Sequence, residues 1–172
     1  MKLVPITEMT PDLWYYAWNA MFDPALGDVV GTDPALIAAK PPLEDFYRNI
    51  TKAHEEGRLQ AWAIVKDDKF RGYTLLDRTI GEWENGTVLV DPKDWSSGMG
   101  VVAAYHAFHW AFDQEGAEWV ITFTQGKDPH VRNIHEKIGF RRLMNFWVLD
   151  KGTWQERVRP TYERLKKRYL ER

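Results

Sequence analysis

The run Val88-Leu89-Val90-Asp91-Pro92-Lys93-Asp94-Trp95-Ser96-Ser97-Gly98-Met99-Gly100, leading into the helical pattern of residues 101–112, constrains this chain more than any other stretch. It reads as a strand, a turn of small residues and a helix that opens at glycines. Such a corner converges unpaired backbone N–H groups and the positive end of a helix dipole on one spot, which is how main chain binds phosphate. Glycines also open helices for capping and packing reasons, so the run specifies the corner first and an anion site second.

The remainder of the chain supports a core around that corner. Its 172 residues are 44% hydrophobic and include nine tryptophans, which suits one globular domain spanning residues 1–172. No apolar run approaches the roughly 20 residues of a membrane helix, and no basic-then-apolar leader opens the chain. A cytoplasmic protein without a membrane partner is the expectation. The absence of cysteine excludes disulfides, thiolate catalysis and a Cys-based zinc site. Net charge is −2, unevenly spread: residues 151–172 hold eight Lys/Arg against three Glu, a local +5 that leaves −7 elsewhere. That basic C-terminal helix, about 154–171, is either a solvated face or a surface for nucleic acid or an acidic partner.

Lys2 to Ile6 reads as a strand, and Thr10-Pro11-Asp12 starts a helix that runs to about Phe22. Residues 23–42, with four prolines, read as a long loop with one short helical turn. Leu43 to Glu56 returns to helical spacing and stops at Gly57. The period then changes. Leu59–Val65, Gly72–Ile80 and Thr87–Val90 read as consecutive strands, with Asp67-Asp68-Lys69 and Glu84-Asn85-Gly86 as turns. After the glycine corner come a helix to Asp113, a strand Trp119–Thr124, and a helix from Asp128-Pro129 closed by Gly139-Phe140. A strand Asn145–Leu149 follows, then a C-terminal helix from about Pro160 with Val158, Tyr162, Leu165 and Tyr169 on one stripe. The order β-α-α-β-β-β-α-β-α-β implies a mixed sheet with helices on both faces.

This element order and two motifs resemble the GCN5-related N-acetyltransferase (GNAT) family. In the family's cofactor loop a Gln or Arg, two spacers, Gly, one spacer and Gly or Ala follow the fourth strand. Here Trp95-Ser96-Ser97-Gly98-Met99-Gly100 match, with both glycines in place, Trp95 at the basic or amide position and Ser96 where glycine is common. The second motif, aromatic-Glu-Lys-apolar-Gly-Phe, is matched by His135-Glu136-Lys137-Ile138-Gly139-Phe140, with His135 where the family often carries a general-acid tyrosine.

The resemblance implies an α/β acyl-CoA N-acyltransferase fold with a central, mostly antiparallel sheet. It implies acetyl transfer from acetyl-CoA, or another acyl-CoA, to a primary amine by direct attack in a ternary complex, with no metal. Leu89, Val90, Trp95, Ser96, Ser97, Gly98, Met99 and Gly100 would hold the cofactor, the phosphates falling to backbone amides and to the hydroxyls of Ser96 and Ser97. An oxyanion-stabilising N–H would lie near Val90, and Glu82 or Glu84 would be the base, unless both are solvated turn carboxylates. Asp91 reads equally as a turn cap.

His135 shares a helical face with Val131, Ile134 and Ile138, which points it towards the sheet and cleft as a general acid, or as a buried histidine bonded to backbone. His106 and His109 lie among aromatics, which favours packing over metal ligation. The aromatic run Trp14-Tyr15-Tyr16-Trp18 is expected to be partly core and partly acceptor pocket, with Asp23, Asp28 and Asp33 either attracting a cationic amine or merely solvated. A monomer or homodimer fits this reading. The alternatives are a degenerate relative that binds acyl-CoA or a macromolecule without turnover, and a nucleobase-modifying relative.

Overall fold

The computed structural model describes residues 1–30, 33–78, 81–123, 134–144 and 146–171, without the side chains of 28–30. Its centre is a seven-stranded sheet in the order β1-β2-β3-β4-β5-β7-β6. The strands are β1 (Lys2–Pro5), β2 (Leu59–Lys66), β3 (Lys69–Asp77), β4 (Trp83–Leu89), β5 (Trp119–Thr122), β6 (Arg141–Leu143) and β7 (Phe146–Asp150). Only β4 and β5 run parallel; every other neighbouring pair is antiparallel. No helix among the described residues is long and apolar enough to cross a membrane.

Helix α5 (Met99–His109), continued by a π turn (Trp110–Gln114), covers one face. Its Ala103, Ala107 and Ala111 are fully buried, and their small side chains let the helix lie close against the strands. Phe108, Trp62, Leu76, Trp83, Val120, Trp147 and Leu149 form the main core there. On the opposite face, α1 (Pro11–Met21) and α4 (Leu43–Glu55) bury Trp14, Phe46 and Ala53 with Ile6 and Leu59. The alternation of side chains along each strand assigns residues to these two faces.

Several sequence expectations are corrected. Residues 23–42 are not mainly loop: α2 (Pro24–Val30) and α3 (Pro34–Ala38) form there. Both begin with proline as first helical residue, and Asp23 and Asp33 cap them by accepting from the N–H groups of Ala25 (2.9 Å) and Ala35 (2.8 Å). The prolines therefore start helices rather than prevent them. The first hairpin turn is Asp67-Asp68, both left-handed (φ 53° and 55°), and Lys69 is already in β3. β6 was not anticipated; only three residues long and exposed, it carries no alternating pattern.

Glu84-Asn85-Gly86 is not a turn. It lies inside β4, with Glu84, Asn85 and Gly86 paired to Asp77, Leu76 and Leu75. The Asn85 amide is buried and donates to the Leu75 carbonyl (2.9 Å) and to Thr74 Oγ1 (3.4 Å), while the Thr74 and Thr87 hydroxyls meet at 2.8 Å. Long-range hydrogen bonding overrides the local turn preference of Asn-Gly. The C-terminal helix begins at Lys151 rather than about Pro160, as α7 (Lys151–Thr153), a π turn (Trp154–Val158) and α8 (Arg159–Tyr169), with Asp150 as its cap. The wide π turn just ahead of Pro160 absorbs the missing N–H and the bulk of the ring, so the chain stays helical. The helix start at Asp128-Pro129 lies outside the described residues; 134–137 are helical and form the described part of α6.

Candidate active site

The two sides of β4 differ. It pairs with β3 from Gly72↔Leu89 to Asp77↔Glu84, whereas described pairing with β5 is confined to Trp83↔Val120 and Glu84↔Ile121. Beyond Glu84 the strand has no β5 partner among the described residues, and this unpaired stretch of its edge forms one wall of what we call the wedge. The Val90 N–H donates to the Arg71 carbonyl at 3.0 Å, so the antiparallel alternation turns the backbone groups of Asn85, Thr87 and Leu89 away from β3 and towards that wedge. The N–H available to a ligand there is thus Leu89's or Thr87's rather than Val90's. Gly72 makes the β3 side possible: a Cβ on it would lie 2.0 Å from the Val88 carbonyl oxygen.

At the C-terminal end of β4 the glycine corner is tied together internally. Asp91 accepts from Lys93 N–H (3.1 Å) and caps a 3-10 turn (Pro92–Asp94), which bears out its reading as a turn cap. Arg71 binds Asp94 at 3.3 Å. The Trp95 indole N–H donates to the Leu89 carbonyl at 3.0 Å, although the ring is exposed. Ser97 Oγ donates to the Asp94 carbonyl (2.6 Å) and accepts from Met99 N–H (3.2 Å), so this hydroxyl serves the loop rather than a phosphate. Ser96 is exposed. The Met99 side chain is buried with Ile64, Leu89 and Ala103, which leaves only its backbone to the site.

The two glycines differ in what they do. Gly98 is left-handed (φ 82°) and caps α5, whereas a Cβ on Gly100 would make ordinary contact, 3.5 Å from Leu89 Cδ1. Gly100 and Val101, in the first turn of α5, have no intrahelical acceptor for their N–H groups.

The two candidate bases separate. Glu82 is exposed and precedes β4. Glu84 is half-buried at the base of the wedge and, by alternation with the core residue Trp83, faces away from α5. Burial, and then the Asp77 carboxylate paired opposite, hold its pKa above the usual carboxylate value. His135 lies across the sheet on the α5 side. Its ring stacks on Trp147 of β7 (centroids 5.6 Å, 24°) and meets the edge of Phe140 (5.7 Å). Since Trp147 is the register partner of Thr122 in β5, Glu84 and His135 flank the β4/β5 opening from opposite faces.

A cavity of about 510 Å³ adjoins the end of β4, lined by Tyr16, Asn19, Asp23, Asp68, Phe70 and Val90 among others. Tyr16 stacks on Phe70 (6.0 Å, 21°) in the cavity wall, while Trp14 is core. Asp23 lines the cavity while capping α2, Asp33 caps α3, and the Asp28 side chain is outside the described set. His106 belongs to the core: its Nδ1 meets Tyr162 Oη at 2.9 Å, and burial first, then the neighbouring His109 charge, lower its pKa to about 4. His109 pairs with Asp113 at 2.7 Å. Among the described residues no group of three His, Asp or Glu is arranged to hold a metal.

Sequence reasoning missed Asp77, Arg71, Tyr169 and the buried Thr74–Asn85–Thr87 cluster. The alternating pair Asn85 and Thr87 in β4 was the available signal for the last of these.

The family model described as an acetyltransferase (GNAT) domain matches residues 3–141. The chain belongs to the GNAT acetyltransferase family. No curated protein matches its sequence. Among solved GNAT structures, the spermidine N-acetyltransferase of Vibrio cholerae, in complex with CoA and spermine, superposes with TM-score 0.68 at 9% identity, over 86% of this chain and 95% of that one. The aminoglycoside acetyltransferase AAC(6')-Ib, in complex with coenzyme A, gives 0.66 at 13% identity, over 87% and 95%. FdhC, a nucleotide-linked sugar GNAT, gives 0.68 at 14% identity, over 90% of each chain. At these identities the likeness establishes the shared fold, and the family match makes this GNAT chain an acetyltransferase by class.

Proposed function

We propose that this GNAT protein transfers an acetyl group from acetyl-CoA to a primary amine by direct attack within a ternary complex. The observation that carries the reading is the wedge between β4 and β5, with a carboxylate of raised pKa at its base and an imidazole on its other face. The residues present fit the acyl carrier. Backbone groups of Thr87 and Leu89 face the wedge, and the N–H groups of Gly100 and Val101 open α5 beside it. The two neighbours in complex with CoA support the same choice of carrier.

Bound acetyl-CoA would supply an activated acyl carbon as a thioester. Glu84, with its proton affinity raised by burial and by Asp77, accepts a proton from the incoming ammonium, directly or through a water. Main-chain N–H groups of β4 that face the wedge would stabilise the negative charge that gathers on the acyl oxygen. As the C–N bond forms and the C–S bond breaks, His135 would donate a proton to the departing thiolate and regain one from that which the nitrogen sheds. The proton on Glu84 is then the one released to water. The cavity beside Tyr16, Asp23 and Phe70 takes the body of the acceptor; Asp23 and Asp68 outnumber Lys69 in its lining, a balance that suits a cationic amine.

The degenerate-binder reading draws on Trp95, whose indole takes the Leu89 carbonyl and brings no charge. Calorimetry with acetyl-CoA, then CoA release over a panel of polyamines, aminoglycosides and amino sugars, separates the two. Binding in the range of about 1 μM to 1 mM with turnover of one acceptor class is expected. No binding overturns the cofactor assignment. Binding without turnover across the panel favours the non-catalytic reading.

A further inference from the structure

The family match ends at residue 141, yet the corner that opens α5 is held from beyond it. Tyr169, the last residue of α8, donates its hydroxyl to the Ser97 carbonyl at 2.9 Å. The same hydroxyl lies 2.9 Å from where a Cβ on Gly98 would stand, and its ring packs beside Ile64, Leu89, Met99 and Ala103. A trans peptide carries its C=O and N–H on opposite sides of one plane. By pinning the Ser97 carbonyl towards α8, Tyr169 turns the Gly98 N–H the other way, and it rests against the left-handed residue that starts the helix.

Charge accompanies this clasp. The loop has Trp95 where the family usually carries a basic or amide residue, whereas Arg168 holds its guanidinium 5.5 Å from the Tyr169 ring centroid. Arg168 is exposed and adjoins the residue that touches the loop.

We propose that α8 completes the coenzyme A site, with Tyr169 as a positioning residue for the Ser97–Gly98 peptide and Arg168 as the source of positive charge that Trp95 does not provide. The proposal rests on the assignment of acetyl-CoA above and extends it to a helix outside the matched domain.

The test is calorimetric titration of acetyl-CoA into the full chain and its Tyr169→Phe and Arg168→Gln variants, with steady-state kinetics and thermal melts. Tyr169→Phe keeps the ring and removes one hydrogen bond. It should raise the Kd and KM for acetyl-CoA by about fivefold, with kcat and acceptor KM within twofold of wild type and a melting midpoint lowered by about 2–4 °C at most. Arg168→Gln should raise Kd by about threefold and flatten its salt dependence, with Arg168→Lys restoring most of the affinity. Tyr169→Phe that titrates like wild type, or that melts earlier with the same Kd, overturns the positioning role. Arg168→Gln with unchanged Kd and salt slope overturns the charge role. Wild-type protein that does not bind acetyl-CoA overturns the underlying assignment instead, so the two failures are distinct.

Discussion

The two edges of β4 teach more about this protein than any single residue. On the β3 side the strand is zipped from Glu84 to Leu89, with Gly72 removing a side chain so that the Val88 carbonyl can approach. On the β5 side the described pairing stops at Glu84, and the backbone groups beyond it are left to face a wedge. One edge supplies rigidity and the other supplies the site proposed above. Each depends on the other, because an open edge is a usable binding surface only when the opposite edge holds it still.

The largest expected effect tests the open edge. Glu84→Gln should lower kcat by about 100-fold to 10,000-fold, the range of a lost general base, and should remove the acidic limb of the pH–rate profile. That limb lies above the ordinary carboxylate pKa, because burial and Asp77 favour the protonated form of Glu84. The sign for stability is the reverse: a carboxyl whose folded pKa is raised loses stability as pH rises through it, so the variant should be at least as stable as wild type at pH 7. Full activity in this variant would remove Glu84 as the base.

The next tests the closed edge. Gly72→Ala places a Cβ 2.0 Å from the Val88 oxygen and should cost on the order of 3 kcal/mol in urea unfolding as β3 and β4 part. An unfolding midpoint equal to wild type would mean that the close approach is not needed. His135→Phe probes the far face of the wedge. It preserves the stack on Trp147 and should lower kcat by about 100-fold with little change in acetyl-CoA affinity. Equal activity in that variant would remove His135 as the acid.

The smallest effect is a control far from the open edge, where α5 packs on α8. His106 has a folded pKa of about 4 against 6.5 when unfolded, so the native state binds fewer protons between those values. Stability present above pH 6.5 is therefore lost as pH falls towards 4, with a slope approaching about 1.4 kcal/mol per pH unit. Denaturation curves at pH 7, 6 and 5 measure it, and a flat profile would show that His106 protonates without hindrance.

Much of the architecture was legible in the chain. The change of period after Gly57, the helix pattern entering at Gly98 and the stripe Val158–Tyr162–Leu165–Tyr169 all carry their element types locally, and the structure agrees on each. The errors share a cause. Asn85-Gly86 has strong turn chemistry, and Pro24 and Pro34 read as breakers. A buried amide bonded to Leu75 and two aspartate caps decided otherwise. At the glycine corner, Ser97 and Trp95 spend their polar atoms within the loop, which spacing alone does not reveal.

By itself the sequence determined the strand–glycine–helix corner, the paired motifs and hence the family, because these depend on residue type at fixed local spacing. Tertiary structure alone decided that the described β4–β5 pairing ends at Glu84, that Glu84 is half-buried there while Glu82 is exposed, and that Tyr169 reaches Ser97 from 72 positions away. Burial, strand partners and side-chain contacts between distant segments exist only once the chain has closed on itself. The wedge, the raised Glu84 pKa and the clasp are properties of that closure.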